Sequence, residues 1–422
     1  MKKNRIALYI ELKKIKNKII DADFEIGNPG IGGTQYLFLI TAKYLNEKYG
    51  ENYSVILTDD EIKLNDKSIT IKKVDSKEDA ISFCEKEKID NLVFNANSIE
   101  QISTNVLNKT KINIMLWAHN TMNYKKQKLA AKIDSIYKVI CVSKTQYDNM
   151  HDTVCFDKCT YIENVITDTF YSNSNITDYS EKKVIYIGSL MPQKGVDELL
   201  KIWKYVEKKE PEAKLYIFGG GNIWNPNVKT TSTGADQYYD KIIQKILKRL
   251  KKSENIIFMG AKGWKEINTM ILTARVGIVN PSHYYRDETF CLSAIEMEAH
   301  GLPIVSRLRN DGLLDTIKNN ETGFLEKSNK KIANKIIYLL SDATKAQKHG
   351  MLARKYVKKF IIKNEIYKWN ELINNKSKKK CKKIFKPSKD DLLLKHDFIK
   401  KIIFTIKTGK YKDILKRKIR RG

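Results

Sequence analysis

Two carboxylates, Glu288 and Glu296, stand eight positions apart in a stretch that reads as the start of a helix. Thr289 is placed to cap it, Leu292, Ile295 and Ala299 recur at helical spacing, and Gly301-Leu302-Pro303 ends it. Eight helical residues span roughly 12 Å, so Glu288 falls beside the helix mouth and Glu296 about two turns in. Free backbone N–H groups of Thr289, Phe290, Cys291 and Leu292 lie between them at the positive end of the helix dipole, a natural anion cradle. Carboxylates flanking a phosphate-sized cradle suit a phosphorylated sugar, whose hydroxyls need acceptors on both sides. Lys194, just ahead of another helix, suits neutralising a diphosphate. His119 follows an apolar run at 112–117, and open α/β sheets bind ligands at the carboxyl ends of their strands. Each residue also has a plain structural reading, since solvated helix faces, satisfied core histidines and loop lysines are common.

The elements that would hold these groups alternate along the chain. Apolar runs predict strands at 6–10, 54–57, 91–95, 112–117 and 139–142, with helices at 36–49 and 80–88. A glycine-rich loop over 27–33 sits at the first strand-to-helix junction, where Gly32 and Gly33 allow close backbone approach. It is no dinucleotide fingerprint, because no acid follows at the required spacing. A Ser-, Asn- and Asp-rich linker is placed near 171–183. Beyond it come strands at 184–188, 215–219, 256–260 and 275–279, with helices at 196–208, 329–341, 343–360 and 361–374. The polar excursion at 222–237 reads as an insertion, and Trp264 either stacks on a base or packs in a core. The expected class is α/β, with two parallel-sheet domains at 1–178 and 179–360. A helix at about 361–375 crosses back to the first domain, and a basic tail spans 376–422.

The run Pro281-Ser282, Glu288, Phe290, Glu296, Gly301-Leu302-Pro303, Ile304-Val305 resembles the signature of glycosyltransferase family 4, retaining nucleotide-sugar enzymes of GT-B fold. Gly32-Gly33, Trp117-Ala118-His119, the turn Gly188 to Gly195 and the strand into Gly219-Gly220-Gly221 match the family elsewhere, so the resemblance covers residues 1 to about 375. It implies two Rossmann-like domains facing across a cleft, the acceptor held mainly by the first and the donor by the second. It implies catalytic roles for Glu288, His119 and Lys194. Donor contacts are implied at Gly32, Gly33, Gly188, Ser189, Thr289, Phe290, Cys291, Leu292 and Glu296, with Glu288 on the transferred sugar and Glu296 on the ribose. Cys291 stands where the family has Gly, and Ser189 where it has Arg; Arg286, Lys262 or Arg307 could replace that cation. No metal or cofactor is implied beyond a UDP- or GDP-linked donor sugar as substrate. The triplet Asp21-Ala22-Asp23, though it spells a metal-binding motif of another glycosyltransferase fold, is read as chance.

The net charge is +29. The segment 376–422 holds 19 Lys and Arg against 4 Asp, about half of that excess. Phe398, Ile399, Ile402, Ile403 and Ile406 form an apolar stripe there, the pattern of an interfacial helix on an anionic membrane or of a helix packed on the domains. The start, Ile6 to Ile10, is too short for a signal or spanning segment and reads as a strand. Six scattered cysteines read as free thiols of a reducing cytoplasm. These features predict a cytoplasmic transferase on the inner face of the membrane. It would glycosylate a glycan or lipid-linked acceptor in bacterial surface polysaccharide or lipopolysaccharide synthesis. The alternatives are a GT-B sugar-nucleotide epimerase or phosphorylase, and a basic nucleic-acid-binding protein, for which no stacking motif appears.

Overall fold

The computed structural model describes residues 5–151, 153–221, 231–283 and 288–374. Two parallel sheets form the frame. The first holds β1 (Ile6–Tyr9), β2 (Ser54–Thr58), β3 (Ile71–Lys73), β4 (Asn91–Asn95), β5 (Asn113–Ala118), β6 (Ile136–Cys141) and β7 (Cys159–Tyr161). Their spatial order is β3-β2-β1-β4-β5-β6-β7. The second holds β8 (Lys183–Ile187), β9 (Lys214–Phe218), β10 (Ile256–Gly260), β11 (Val276–Ile278), β12 (Ile304–Arg307) and β13 (Gly323–Glu326), ordered β10-β9-β8-β11-β12-β13. Strands such as Ile6–Tyr9 are buried along their whole length because helices cover both faces, which is why they read as unbroken apolar runs. Each order reverses direction once, between β1 and β4 and between β8 and β11. At such a switch point the following loops part, leaving a crevice at the carboxyl edge.

The helix Gly33–Tyr49 starts three residues earlier than the apolar pattern indicates, at Gly32-Gly33. Thr34 to Asn46 are all buried in it, because the helix is sandwiched between the first sheet and the rest of the molecule. The helix Ile362–Asn374 returns from the second sheet to the first. Trp369 meets Trp117 edge-on at 4.7 Å, and Tyr53 donates its hydroxyl proton to Asn370 at 2.7 Å. One apolar core runs through Ile6, Phe38, Trp117, Phe290, Ile295 and Trp369, joining the inner faces of both sheets. Separate clusters close the two outer faces.

The stretch 171–183 is only partly irregular: the helix Asp168–Asn173 occupies its start, capped by Thr167. Asp21 and Asp23 are used locally, Asp21 accepting from Asn65 and Asp23 capping a short turn. The basic segment 376–422, Arg286 and most of the polar excursion after Gly221 lie outside the described residues. No helix among the described residues is long and apolar enough to cross a membrane.

Candidate active site

Lys194 and Glu288 meet at the second switch point. Lys194 sits in the loop after β8 and Glu288 in the loop after β11, and their ion pair closes at 2.6 Å between Nζ and Oε2. Asn280 donates from Nδ2 to the same Glu288 oxygen at 2.8 Å. Asn280 lies two residues past β11 with a φ of +35°, a left-handed conformation that Asn tolerates better than most residues, although the following Pro281 disfavours it. Backbone strain concentrates where function requires an orientation, and here it aims the amide at Glu288. Gly195 makes the neighbouring turn possible: its φ is +70°, and a Cβ there would stand 2.5 Å from the Ser282 nitrogen. Burial opposes the charge on Lys194, but the Glu288 carboxylate outweighs it and holds the ammonium pKa above its usual value.

The structure moves the helix start. The helix spans Leu292–Ala299, with Cys291 at its N-cap and no side-chain cap. Thr289 does not cap it. Its hydroxyl instead donates to the backbone carbonyl of His119 at 2.7 Å, from the second domain to the first. Glu288 therefore precedes the helix by a turn of irregular chain, and Glu296 lies about one turn inside it, not two. Phe290 and Cys291 are buried, while Leu292 and Ser293 are partly exposed, with the Ser293 hydroxyl donating to the Ile187 carbonyl just ahead of Gly188 and Ser189. Burial pushes the Cys291 thiol up to about 12, so it is no nucleophile at neutral pH.

His119 faces the same junction from β5. Its ring lies 4.4 Å from Trp117 and 5.9 Å from Phe38, and burial lowers its pKa to about 3, so it is neutral. Gly33 approaches from the first switch point; a Cβ on it would lie 3.6 Å from Leu292, an ordinary contact. Gly32 precedes that helix as its N-cap.

Glu296 is brought to a different place from Glu288. It lies in the interior near Tyr36 and Trp264, where burial raises its carboxyl to about 8 and a hydrogen bond from Trp264 offsets part of the rise. Trp264 is a core residue. Stacked on His300 at 5.2 Å and 11°, it packs edge-on to Phe170, and its backbone N–H donates to the Asn28 carbonyl.

Three residues that the sequence did not single out belong to this site. Arg309 donates to Asp311 at 2.7 Å, Asp311 is raised to about 6 chiefly by burial, and Gly312 N–H donates to the Glu288 carbonyl at 2.6 Å. Of the cations considered in place of Ser189, Lys262 is exposed and Arg307 spends its guanidinium on Pro281, Lys327 and Asn329. Gln35 Oε1, His119 Nε2, Asn164 Oδ1, Gln193 Oε1, Glu296 Oε1 and Arg309 Nη2 are buried without a hydrogen-bond partner among the described residues. Native folds rarely leave such atoms orphaned, and all but Glu296, which sits a turn inside its helix, lie in loops or at a helix start at the carboxyl edges of the two sheets. Such a set fits a ligand rich in hydroxyl and phosphate oxygens. Among the described residues, no group of three or more His, Cys, Asp or Glu is arranged to hold a metal ion.

Residues 168–356 match the family model described as Glycosyl transferases group 1. An uncharacterized glycosyltransferase of Haemophilus influenzae is 22% identical over 246 residues, covering 57% of this chain and 64% of that protein. The poly(ribitol-phosphate) alpha-N-acetylglucosaminyltransferase of Staphylococcus aureus is 27% identical over 220 residues (51% and 40%). The poly(glycerol-phosphate) alpha-glucosyltransferase of Bacillus subtilis is 28% identical over 200 residues (46% and 26%). The chain thus covers less than two thirds of each relative. Among solved structures, a glycosyltransferase from Rickettsia africae superposes with a TM-score of 0.68 at 17% identity, covering 89% of this chain and 99% of that one. Anabaena HepE, solved with UDP and glucose, gives 0.67 at 13% identity, covering 88% and 100%. The architecture is GT-B, two Rossmann-like parallel-sheet domains.

Proposed function

We propose that this chain is a retaining glycosyltransferase that moves a sugar from a nucleotide-sugar donor to a hydroxyl of a cell-surface glycan or lipid-linked acceptor. The observation that carries the reading is the cluster of half-buried Lys194 with buried Glu288 and Asn280 at the second switch point, tied across the domains by the Thr289 bond to His119. The match of residues 168–356 to a glycosyltransferase family model supports it. The donor is a nucleoside diphosphate sugar, as UDP in the HepE neighbour suggests.

In the reaction the bond between the sugar's anomeric carbon and the diphosphate oxygen breaks while the acceptor oxygen bonds to that carbon. The carbon gains oxocarbenium character and the diphosphate takes up the electron pair. Lys194 leaves Glu288 for the diphosphate, and the uncapped N–H groups at Cys291 and Leu292 stabilise the same charge. Glu288, so released, holds hydroxyls of the transferred sugar. The neutral imidazole of His119 hydrogen-bonds that sugar from the other domain, and the unpartnered oxygen of Glu296 takes the ribose. The acceptor proton passes to an oxygen of the departing phosphate on the same face, so no side chain is assigned as base and no metal is required.

The excess of positive charge favours an anionic acceptor polymer over a neutral one. Two of the relatives are named for poly(ribitol-phosphate) and poly(glycerol-phosphate). The deciding experiment is nucleotide release from UDP-, GDP- and ADP-sugars, with and without EDTA. One donor is expected to be hydrolysed slowly by the wild type, unaffected by EDTA, with Glu288→Ala reducing the rate about a hundredfold or more. Failure of every donor to turn over or to bind would overturn the reading.

A further inference from the structure

The guanidinium of Arg309 is gripped along one edge and buried but unpaired along the other, among the described residues. It follows β12 by two residues, its Nε donating to Asp311 Oδ2 at 2.7 Å. Nη1 donates to Asn280 Oδ1 at 3.3 Å and to the Ser282 carbonyl, whereas Nη2 has no partner among the described residues although the side chain is only 7% exposed. Arg307, two residues earlier, shows what a purely structural arginine looks like here: its Nε, Nη1 and Nη2 all reach acceptors. A buried charged donor without an acceptor is costly, so the position calls for an anion that the described residues do not supply.

The neighbours indicate which anion. Asn280 accepts from Arg309 through Oδ1 and donates through Nδ2 to Glu288, the carboxylate that also binds Lys194. Two cations on loops after β8 and β12 therefore converge on one amide and one carboxylate from the loop after β11, beside the uncapped helix at Leu292. With Lys194 paired to Glu288 and Arg309 to Asp311, the cluster is charge-balanced before a ligand arrives. A ligand carrying two negative charges can draw Lys194 away from Glu288 and supply the acceptor that the unpaired Nη2 of Arg309 lacks. A planar guanidinium fixed by its neighbours presents N–H groups suited to phosphate oxygens.

Resting on the transferase reading above, we infer that Arg309 is the second cationic contact of the donor's diphosphate, partnering Lys194 in place of a charge at Ser189. Lys194 takes one phosphate and Arg309 Nη2 the other, so the pair distinguishes a nucleoside diphosphate from a monophosphate.

The test is calorimetric titration of UDP, GDP, ADP and the corresponding monophosphates into the full chain, comparing wild type with Arg309→Gln and Arg309→Lys. Arg309→Gln is expected to weaken the diphosphate about tenfold or more while the monophosphate changes by less than about threefold, with Arg309→Lys between the two. Because Arg309 also ties down Asp311 and Ser282, the glutamine variant could unfold, in which case the diphosphate-to-monophosphate ratio of Arg309→Lys decides. A merely structural role would weaken both nucleotides alike. Equal losses, or none, in variants of a wild type that binds a diphosphate would overturn the assignment of Arg309 alone. A wild type that binds none of the diphosphates would overturn the transferase reading with it.

Discussion

The two glutamates of the signature are in different electrostatic situations, and that difference is measurable. Glu288 is ion-paired to Lys194, whereas Glu296 is buried without a cation, and burial raises it to about 8. For a group whose folded pKa is raised, the folded state binds more protons than the unfolded one, so stability falls as pH climbs from the unfolded value toward 8. His119 and His300, lowered by burial to about 3 and about 4, act oppositely, but their contribution is complete once the pH exceeds the ordinary histidine value. What the two histidines, and Asp311 raised to about 6 by burial, still contribute between pH 6.5 and 8 cancels between wild type and a variant that keeps them. Glu298, also raised well above its usual range by burial, loses stability over the same window in any variant that keeps it, so it cancels in a comparison. Glu296→Gln, which keeps shape and burial but has no charge to acquire, should lack about 2 kcal/mol of the wild-type decline across that window. Melting curves at the two pH values check this as a difference of a few degrees; identical slopes would mean that Glu296 is charged in the free protein.

At the scale of elements, the active-site loop is shaped by backbone crowding as well as by side chains. A Cβ on Gly312 would lie 2.2 Å from the Thr289 carbonyl oxygen, and the Gly312 N–H holds the Glu288 carbonyl. Gly312→Ala should displace Glu288 and Thr289, the latter being the link to His119, and lower kcat at least about tenfold with a smaller change in donor affinity. An unaltered kcat would show that the loop position does not matter. Gly312 was visible in the sequence only as one more residue of the second domain, since its crowding arises from a segment over twenty residues earlier. Long apolar strands were legible for a simple reason: burial on both faces leaves an unbroken signature, as in Asn91–Asn95 and Asn113–Ala118. The edge strands β3 (Ile71–Lys73) and β7 (Cys159–Tyr161) escaped notice because they are three residues long and partly exposed. Thr289 was misread as a cap because capping propensity is local, whereas its hydroxyl meets a carbonyl 170 residues away. Arg307 and Arg309, two apart and alike in sequence, are separated only by their tertiary partners.

At the scale of the molecule, the site is assembled from two sheets, and the chain crosses between them twice. It passes once through the stretch after β7 and returns along the helix Ile362–Asn374, whose Trp369 docks on Trp117 beside His119. The end of that helix is where the described residues stop, and the 47 residues from Lys376 onward carry a net +15. That charge distribution argues for a membrane-facing role separable from catalysis. Glu288, Glu296 and Lys194 lie in loops and a helix of the second sheet, and the contacts described for them all fall within residues 5–374. An anionic bilayer attracts a basic segment by about 1 kcal/mol per nearby cation, and the attraction fades over a Debye length. The full chain should therefore sediment with phosphatidylglycerol-containing vesicles at low ionic strength and be released by added salt. A chain ending at residue 375 should stay in the supernatant while hydrolysing the donor at the wild-type rate. If the shortened chain sediments equally well, membrane affinity resides in the two domains. If it remains off the vesicles but loses donor hydrolysis, the tail is part of the catalytic unit and its positive charge serves the site, not the bilayer.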